Sequence, residues 1–307
     1  MAEVLCLGDS CADIIIPYGE ERNGKDVSVF FECGGACANS ACSLGKLNVD
    51  TSFLGKAGKD LYGLKMKEEF EKAGVDTSLF LIDEDSVSTQ ILIVIDESGD
   101  RHPFLMPKKD PSYLQLTKKD LHLPEDTRYI LTNGMMLFQQ PAAEAVADFL
   151  EEAHEKGVRT LLDINYRVET RNQDRTYLDR VVKISDYLLG SIEDDLLPLA
   201  GSENLEGALN KLLIGDRCVV AHDANGATAY LKKEKYHCDS YPVKVADTIG
   251  AGDSFNAGFI YGLVHGQKLN DCVRCGCAEA ALCVSQKGSR NTPHEEQLLE
   301  FIEKHER

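Results

Sequence analysis

The stretch Asp247-Thr248-Ile249-Gly250-Ala251-Gly252-Asp253-Ser254-Phe255-Asn256-Ala257-Gly258-Phe259 decides how this 307-residue chain is read. Ahead of it, residues 243–246 form a β-prone run, and the small residues Gly250, Ala251 and Gly252 then bend the chain. Beyond the bend, Phe255, Phe259, Ile260 and Leu263 keep helical spacing, which predicts a helix with that face packed inward. Glycines at 250 and 252 let backbone N–H groups point at a common site, and a helix amino terminus favours negative charge there. The result is an anion hole suited to a phosphoryl group in transfer, with Asp253 at its edge to accept a hydroxyl proton. Spacing alone leaves a second reading open, in which Asp253 caps the helix and the glycines only turn the chain.

Working outward, the rhythm is strand then helix. Residues 4–7 read as a buried strand stopped by Gly8, and Pro141-Ala142-Ala143-Glu144 opens a helix whose Val146, Phe149, Leu150 and Ala153 share one face. Gly157 ends that helix, and residues 158–162 follow as a strand running into Asp163-Ile164-Asn165-Tyr166-Arg167. Residues 187–189, 218–221 and 243–246 repeat the pattern as further strands. Strands alternating with helices predict a mostly parallel sheet covered on both faces. Residues 27–32 and the hairpin of 91–95 with 101–106, turning at Glu97-Ser98-Gly99-Asp100, break the rhythm. Such antiparallel insertions predict a lid over the carboxyl ends of the main strands, where open α/β sheets place ligands. Within the hairpin, Arg101 and His102 read as solvated rather than substrate-touching positions.

The charge balance of 51 Asp+Glu against 33 Lys+Arg gives −18, a field that repels nucleic-acid backbones and anionic membranes. A few local donors can still outweigh that field for a small anionic substrate. Composition, 43% hydrophobic and 27% charged, excludes disordered and fibrous classes. Eleven scattered cysteines and an amino terminus without a basic start point to a cytoplasmic chain with free thiols. For Cys272, Cys275 and Cys277, small-residue packing in a helix is the better reading than zinc, because offsets of three and five do not share one face.

Other phosphate motifs fail. Gly45-Lys46 is followed by Leu47, which breaks the P-loop pattern, and Phe255 stands where a dinucleotide fingerprint needs its third glycine. Instead, Asp247-Thr248-Ile249-Gly250-Ala251-Gly252-Asp253-Ser254-Phe255-Asn256-Ala257-Gly258 resembles the carboxy-terminal signature DTxGAGDxFxAG of the PfkB, or ribokinase-like, family of carbohydrate kinases. Gly34-Gly35-Ala36-Cys37-Ala38-Asn39, followed by Gly55, Gly58, Asp60 and Gly63, resembles its amino-terminal signature. Gly8 and Asp13 have the spacing of the family's first sugar-binding loop.

The resemblance, which runs from about residue 4 to about 292, implies a ribokinase-like three-layer α/β/α sandwich with a small β-sheet lid. It implies one kinase domain over 1–307, with lid strands inserted from about 14–33 and 88–108. It further implies ATP-dependent phosphorylation of a sugar hydroxyl, with Asp253 as base and the amides of Gly250, Ala251 and Gly252 on the γ-phosphoryl. Asp13, Gly34, Gly35 and Asn39 would hold sugar hydroxyls. Asp163-Ile164-Asn165-Tyr166-Arg167 resembles the DxNxR of members that act on fructose or 2-keto-3-deoxygluconate, so Asn165 and Arg167 are expected at the substrate, a ketose or keto sugar acid. Ribose and nucleoside kinases generally lack that motif, which disfavours a nucleoside kinase.

Three positions depart from the pattern. The Mg2+-associated NxxE falls on Ser191-Ile192-Glu193-Asp194, leaving Glu193 and Asp194 as the Mg2+ candidates. Ala221-His222-Asp223-Ala224-Asn225-Gly226 stands where the family has roughly TxGxxG, so Ser191, Asp223, Gly226 and Gly252 would border the nucleotide, with an unusual negative charge at Asp223. Asp247 is the candidate for a monovalent cation, K+. The departures also admit a catalytically weak sugar-binding or regulatory protein on the same fold, although such a module has no need of the intact base-bearing turn. A homodimer through the exposed lid strands is the expected assembly.

Overall fold

The computed structural model describes residues 2–16, 29–95, 97, 101–106, 111–166 and 168–305. In chain order its elements begin β1 (Val4–Leu7), β2 (Cys11–Ile16), β3 (Phe30–Gly34), α1 (Ala36–Lys46), β4 (Thr51–Gly58), α2 (Leu61–Lys72) and β5 (Phe80–Asp83). They continue through β6 (Gln90–Ile95), β7 (Arg101–Met106), β8 (Tyr129–Asn133), α3 (Ala142–Glu155), β9 (Arg159–Asp163), α4 (Thr176–Ile184) and β10 (Tyr187–Ser191). The chain closes with α5 (Leu197–Ala200), α6 (Leu205–Leu212), β11 (Cys218–Asp223), β12 (Gly226–Leu231), β13 (Glu234–Asp239), α7 (Ala251–Val264), α8 (Leu269–Val284) and α9 (Glu295–His305).

A nine-stranded sheet runs β13-β12-β11-β10-β9-β8-β1-β4-β5. Every pair from β11 to β5 is parallel, and β12 and β13 extend it as antiparallel strands. Pleating sends successive side chains to opposite faces. On β1, Val4 and Cys6 join the core formed with α1, α2, α7, α8 and α9, whereas Leu5 and Leu7 join the core formed with α3 to α6. The two layers of helices therefore bury the continuous apolar runs that parallel strands require. Helix α3 follows its spacing, burying Val146, Phe149, Leu150 and Ala153, and the chain turns at Gly157 with φ +84°.

A second sheet of four strands runs β3-β2-β6-β7. The expected hairpin is present as β6 and β7, paired antiparallel from Gln90↔Met106 to Ile95↔Arg101; of its turn, Ser98, Gly99 and Asp100 lie outside the described residues. The β-prone segment begins at Phe30 as β3, and Val27 and Ser28 lie outside the described residues. Its partner is β2, whose Ile14, Ile15 and Ile16 fall within the lid segment expected at about 14–33 and whose start lies three residues earlier, at Cys11.

The strand expected at 243–246 is absent. The antiparallel hairpin of β12 and β13 already occupies that edge of the sheet, and residues 241–245 run as irregular backbone. The Ala246 and Asp247 N–H groups donate to the Val284 carbonyl at the end of α8 instead of to a strand. The cysteine reading holds: Cys272, Cys275 and Cys277 are buried in α8, where Cys272 and Cys275 pack against Gly262 and Gly258 of α7. Among the described residues no helix is long and apolar enough to cross a membrane.

Helix α8 also buries a carboxyl. Glu279 is fully inaccessible, accepts from Ser43 Oγ at 2.5 Å through Oε1, and has no partner for Oε2. Burial pushes its pKa up to about 8, against the weaker opposing effects of Ser43 and Lys46. The folded pKa lies above the unfolded value of 4.5, so the folded state binds the extra proton between them and stability falls as pH rises through that window. The slope reaches about 1.4 kcal/mol per pH unit at most. Glu279→Gln keeps the shape and the Ser43 contact without the charge. Urea unfolding at several pH values is expected to show the variant gaining on the parent from pH 5 to 8, with the difference constant above that range.

Candidate active site

The carboxyl ends of the parallel strands converge on one edge of the sheet. Past β1, Asp9 accepts the Ala36 N–H on Oδ2 at 3.0 Å and the Cys37 N–H on Oδ1 at 3.1 Å, capping α1. At the end of the neighbouring β8, the Asn133 amide donates to the same Oδ1 at 2.5 Å. The chain enters α1 through Gly35 at φ +103°, where a Cβ would lie 2.6 Å from the Asp9 carbonyl, so both the dihedral and the space demand glycine. Gly34 is equally crowded: its missing Cβ would meet Asp13 Oδ2 at 2.4 Å. Asp13 projects from β2, takes a weak hydrogen bond from the Cys11 thiol at 3.3 Å, and burial holds its carboxyl above the usual range.

Helix α1 then meets α7. Asn39 Nδ2 donates to Asp253 Oδ2 at 2.8 Å and Ser40 Oγ donates to the Asp253 carbonyl at 2.9 Å, contacts across 214 and 213 residues of chain. Asp253 stands in the first turn of α7, whose N-cap Gly250 has φ +79°. A Cβ on Gly250 would strike the Ser289 backbone at 2.8 Å, so this turn too requires glycine. Fourteen residues of helix stand behind the Ala251, Gly252 and Asp253 amides, which gives that end a positive potential. Asp253, Asp163 and Asp9 all face the buried Cys37 thiol; burial and these carboxylates, together with Cys6, push that thiol far up. Asn165 follows β9 at φ +40°, a conformation few side chains adopt. Arg167 lies outside the described residues.

Next to this cluster a cavity of about 640 Å³ is lined by His222, Asp223 and Gly226 on one side and Ala251, Gly252 and Phe255 on the other. Pro242, Val243, Val245 and Ala281 help make its walls apolar, and its size suits a nucleoside. Asp223 borders it but is exposed, and its Oδ1 accepts the Asn225 N–H at 2.7 Å, closing the turn into β12. Ser191, Glu193 and Asp194 are not among the residues lining the cavity, although Ser191 pairs in register with His222. Ser191 Oγ and N–H both donate to Asp195 Oδ2, and Glu193 and Asp194 are exposed. Asp247 accepts the Ile249 and Gly288 N–H groups, binding the signature turn to the segment after α8. Among the described residues no three His, Cys, Asp or Glu side chains are grouped to hold a metal ion.

Two participants escaped the sequence reading. Asp9 sits one residue after the Gly8 that had been singled out, and its role as the α1 cap needs the neighbouring strand. Arg290 lies in irregular chain beyond α8, outside both signatures. It donates from Nε to Asn39 Oδ1 at 3.0 Å and from a terminal nitrogen to the Gly34 carbonyl at 3.2 Å.

Residues 1–296 match the family model described as pfkB family carbohydrate kinase. The chain is 28% identical over 313 residues to 5-dehydro-2-deoxygluconokinase of Bacillus subtilis (strain 168), covering 98% of this chain and 96% of that one. It superposes on fructokinase from Vibrio cholerae O395 in a form bound to fructose, ADP and potassium ion, with TM-score 0.85 and 25% identity over 98% of both chains. A ribokinase II from E. coli in complex with ATP and Mg2+ gives TM-score 0.88 at 22% identity, covering 99% of this chain and 100% of that one. This chain belongs to the pfkB family of carbohydrate kinases. It is a phosphotransferase with the ribokinase-like fold expected from its two signatures.

The position of Asp223 makes a measurable statement. A carboxylate bordering the cavity would oppose a polyphosphate bound there, but its exposure leaves such repulsion mostly screened. Asp223→Asn preserves the turn and removes the charge. Titration calorimetry with a non-hydrolysable ATP analogue is expected to show roughly two- to fivefold tighter binding at low salt, with the gain vanishing at high ionic strength. Equal affinities at both salts would assign the residue to turn chemistry alone.

Proposed function

We propose that this protein transfers the γ-phosphoryl group of ATP to a hydroxyl of a six-carbon keto sugar acid of the 5-dehydro-2-deoxygluconate class. The observation that carries the reading is the 2.8 Å hydrogen bond from Asn39 to Asp253, which joins the two signatures in one site. The name of the Bacillus subtilis relative and the Asp163-Ile164-Asn165-Tyr166-Arg167 segment support the acceptor class. The fructose, ADP and potassium ion held by the Vibrio cholerae fructokinase support the nucleotide and a monovalent cation.

In this reading the acceptor lies among Asp13, Gly34, Gly35, Asn39, Asn165 and Arg167. Short side-chain acceptors and backbone groups there make directional bonds to several hydroxyls, and a pocket so built rejects analogues lacking one. Arg167 supplies a permanent bidentate donor for the acceptor's carboxylate. The adenosine occupies the cavity beside Asp223 and Gly226, with the phosphates running toward Gly252 and Ser191. Glu193 and Asp194 are the residues that would hold Mg2+, which would supply charge neutralisation to the phosphates, and Asp247 would hold K+. Asp253 takes the proton from the attacking hydroxyl, while the Gly250, Ala251 and Gly252 amides receive the charge that develops on the transferring group. The four-stranded sheet acts as the lid of one kinase domain spanning 1–307, and excluding water there protects the donor from hydrolysis. Val29 and Phe30 at one edge of that sheet, and Phe104 and Leu105 at the other, are 50–54% exposed, which suits a cytoplasmic homodimer joined through the lid.

Asp253→Asn keeps the Asn39 neighbour and removes the base, so turnover is expected to fall about 10²–10⁴-fold while calorimetry still detects acceptor binding. Undiminished turnover would end the proposed mechanism. An ATP-consumption screen over keto sugar acids, ketohexoses, pentoses and nucleosides should give its highest kcat/KM with 5-dehydro-2-deoxygluconate. Ribose or adenosine as best acceptor would overturn the substrate assignment.

A further inference from the structure

We infer that Arg290 is a positioning residue for the phosphoryl transfer, orienting the Asn39 side chain so that its amide nitrogen faces Asp253. The inference rests on the proposed role of Asp253 as base and goes beyond it by naming what holds that base in register.

The guanidinium is almost enclosed, with its side chain 12% exposed. Each of its ends is committed to a different element. Nε donates to Asn39 Oδ1 on α1 at 3.0 Å, one terminal nitrogen donates to the Gly34 carbonyl at 3.2 Å, and the other pairs with Glu69 Oε2 on α2 at 3.2 Å. Its flat face covers the Phe70 ring at 5.3 Å. The backbone is tied as well: Lys46 Nζ donates to the Arg290 carbonyl at 2.5 Å. A planar fork held at this many points has one orientation, whereas a lysine ammonium in its place would not.

The consequence passes through Asn39. An amide has one acceptor end and one donor end, and a rotation by half a turn exchanges them. Arg290 can only donate, so it draws the carbonyl oxygen of Asn39 toward itself and directs the N–H2 group at Asp253 Oδ2, 2.8 Å away. Reversed, the amide would set oxygen against carboxylate and the base would turn from its register. The same guanidinium fixes the Gly34 carbonyl, which belongs to the proposed acceptor loop, so base and acceptor are referenced to one rigid group. Arg290 is not among the residues lining the nucleotide cavity, which separates its effect from ATP binding. The titratable groups facing it are Asp13, Glu69 and the thiols of Cys11, Cys33 and Cys42, with Lys46 alongside; those facing Asp253 include the Cys37 and Cys283 thiols.

The experiment compares Arg290→Met, Arg290→Lys and Glu69→Gln with Asp253→Asn in the full chain, measuring kcat, KM for each substrate and the pH profile of kcat/KM. Arg290→Met is expected to lose about 10²-fold in kcat, the scale on which small misplacements act. Its KM for ATP should stay within about twofold, because the nucleotide cavity is separate. Its acid limb should move to higher pH, since a reversed Asn39 no longer favours the carboxylate form. Arg290→Lys should recover part of kcat, and Glu69→Gln, which leaves the Asn39 contact intact, should keep the parent pH profile. If Arg290→Met fails to fold, Arg290→Lys carries the test, with a reduced kcat and a shifted acid limb at parent ATP KM expected. An unchanged pH profile in the arginine variants, or equal damage to kcat and to the ATP KM, would reduce Arg290 to a structural residue and overturn the inference. Full turnover by Asp253→Asn would overturn the base assignment itself, a result recognisable whatever the arginine variants do.

Discussion

The hydrogen bond between Asn39 and Asp253 is the constraint on which the site depends. It is a side chain of α1 meeting a side chain of α7, and neither helix can shift by a fraction of a turn without breaking it. The Ser40 hydroxyl bonded to the Asp253 carbonyl doubles the connection one residue further along. Behind it, α7 is buried on nearly all sides against α1 and α8, with Phe255 and Phe259 stacked at 6.1 Å and Tyr187 of the sheet edge-on to Phe259 at 5.8 Å. A close-packed interior transmits position rather than absorbing displacement, so the polar contact inherits the rigidity of the core beneath it.

A chain of net charge −18 that handles a polyphosphate must solve an electrostatic conflict. The carboxylates of Asp9, Asp163 and Asp253 gather around Cys37, and Asp13 lies close to Asp9. Long-range attraction cannot bring an anionic donor there, and fixed local dipoles have to do it. In the proposed mechanism the helix terminus at Gly250, Ala251 and Gly252 supplies one set, and those residues are only partly exposed, which weakens the screening that solvent gives to surface charges. The division is spatial: the carboxylates crowd the side proposed for the acceptor hydroxyl, and the cavity proposed for the nucleotide is walled mainly by alanine, valine, proline and aromatic residues. Asp223 is the exception, and its exposure and its bond to the Asn225 N–H limit the damage.

Much of this was legible in the residues. Helical spacing in α3 and α7, continuous apolar runs on the parallel strands, and glycines at the bends are local properties, and they determined the α/β class, the two-faced sheet and the glycine-rich turn before Asp253. The two signatures, together with the spacing of Gly8 and Asp13, marked Asp13, Gly34, Gly35, Asn39 and the 250–253 turn as one site through their resemblance to the family's pattern. The hairpin of β6 and β7 was equally plain from its alternation and turn. What misled was residues 243–246, a β-prone run excluded from the sheet because the β12–β13 hairpin holds the edge; propensity describes a strand's suitability, whereas pairing needs a vacant neighbour.

Only the tertiary structure could decide the rest. Asp9 becomes a helix cap because β1 ends beside the start of α1 and Asn133 arrives from β8 to share it. Arg290 stands 251 residues from Asn39 in a stretch of no periodicity, and nothing in its sequence neighbours separates it from a solvated arginine. Its meaning comes from enclosure: a guanidinium taken out of water must spend its donors on what the fold provides, here an amide, a carbonyl and a carboxylate on three elements. Sequence by itself determined the class of fold, the family and the chemical character of the turn, since those rest on local periodicity and on residue types repeated at set spacing. The direction in which Asn39 points, and therefore which of its atoms faces Asp253, was decided by packing between distant segments, because an amide's orientation is set by its partners and those partners meet only once the chain has folded.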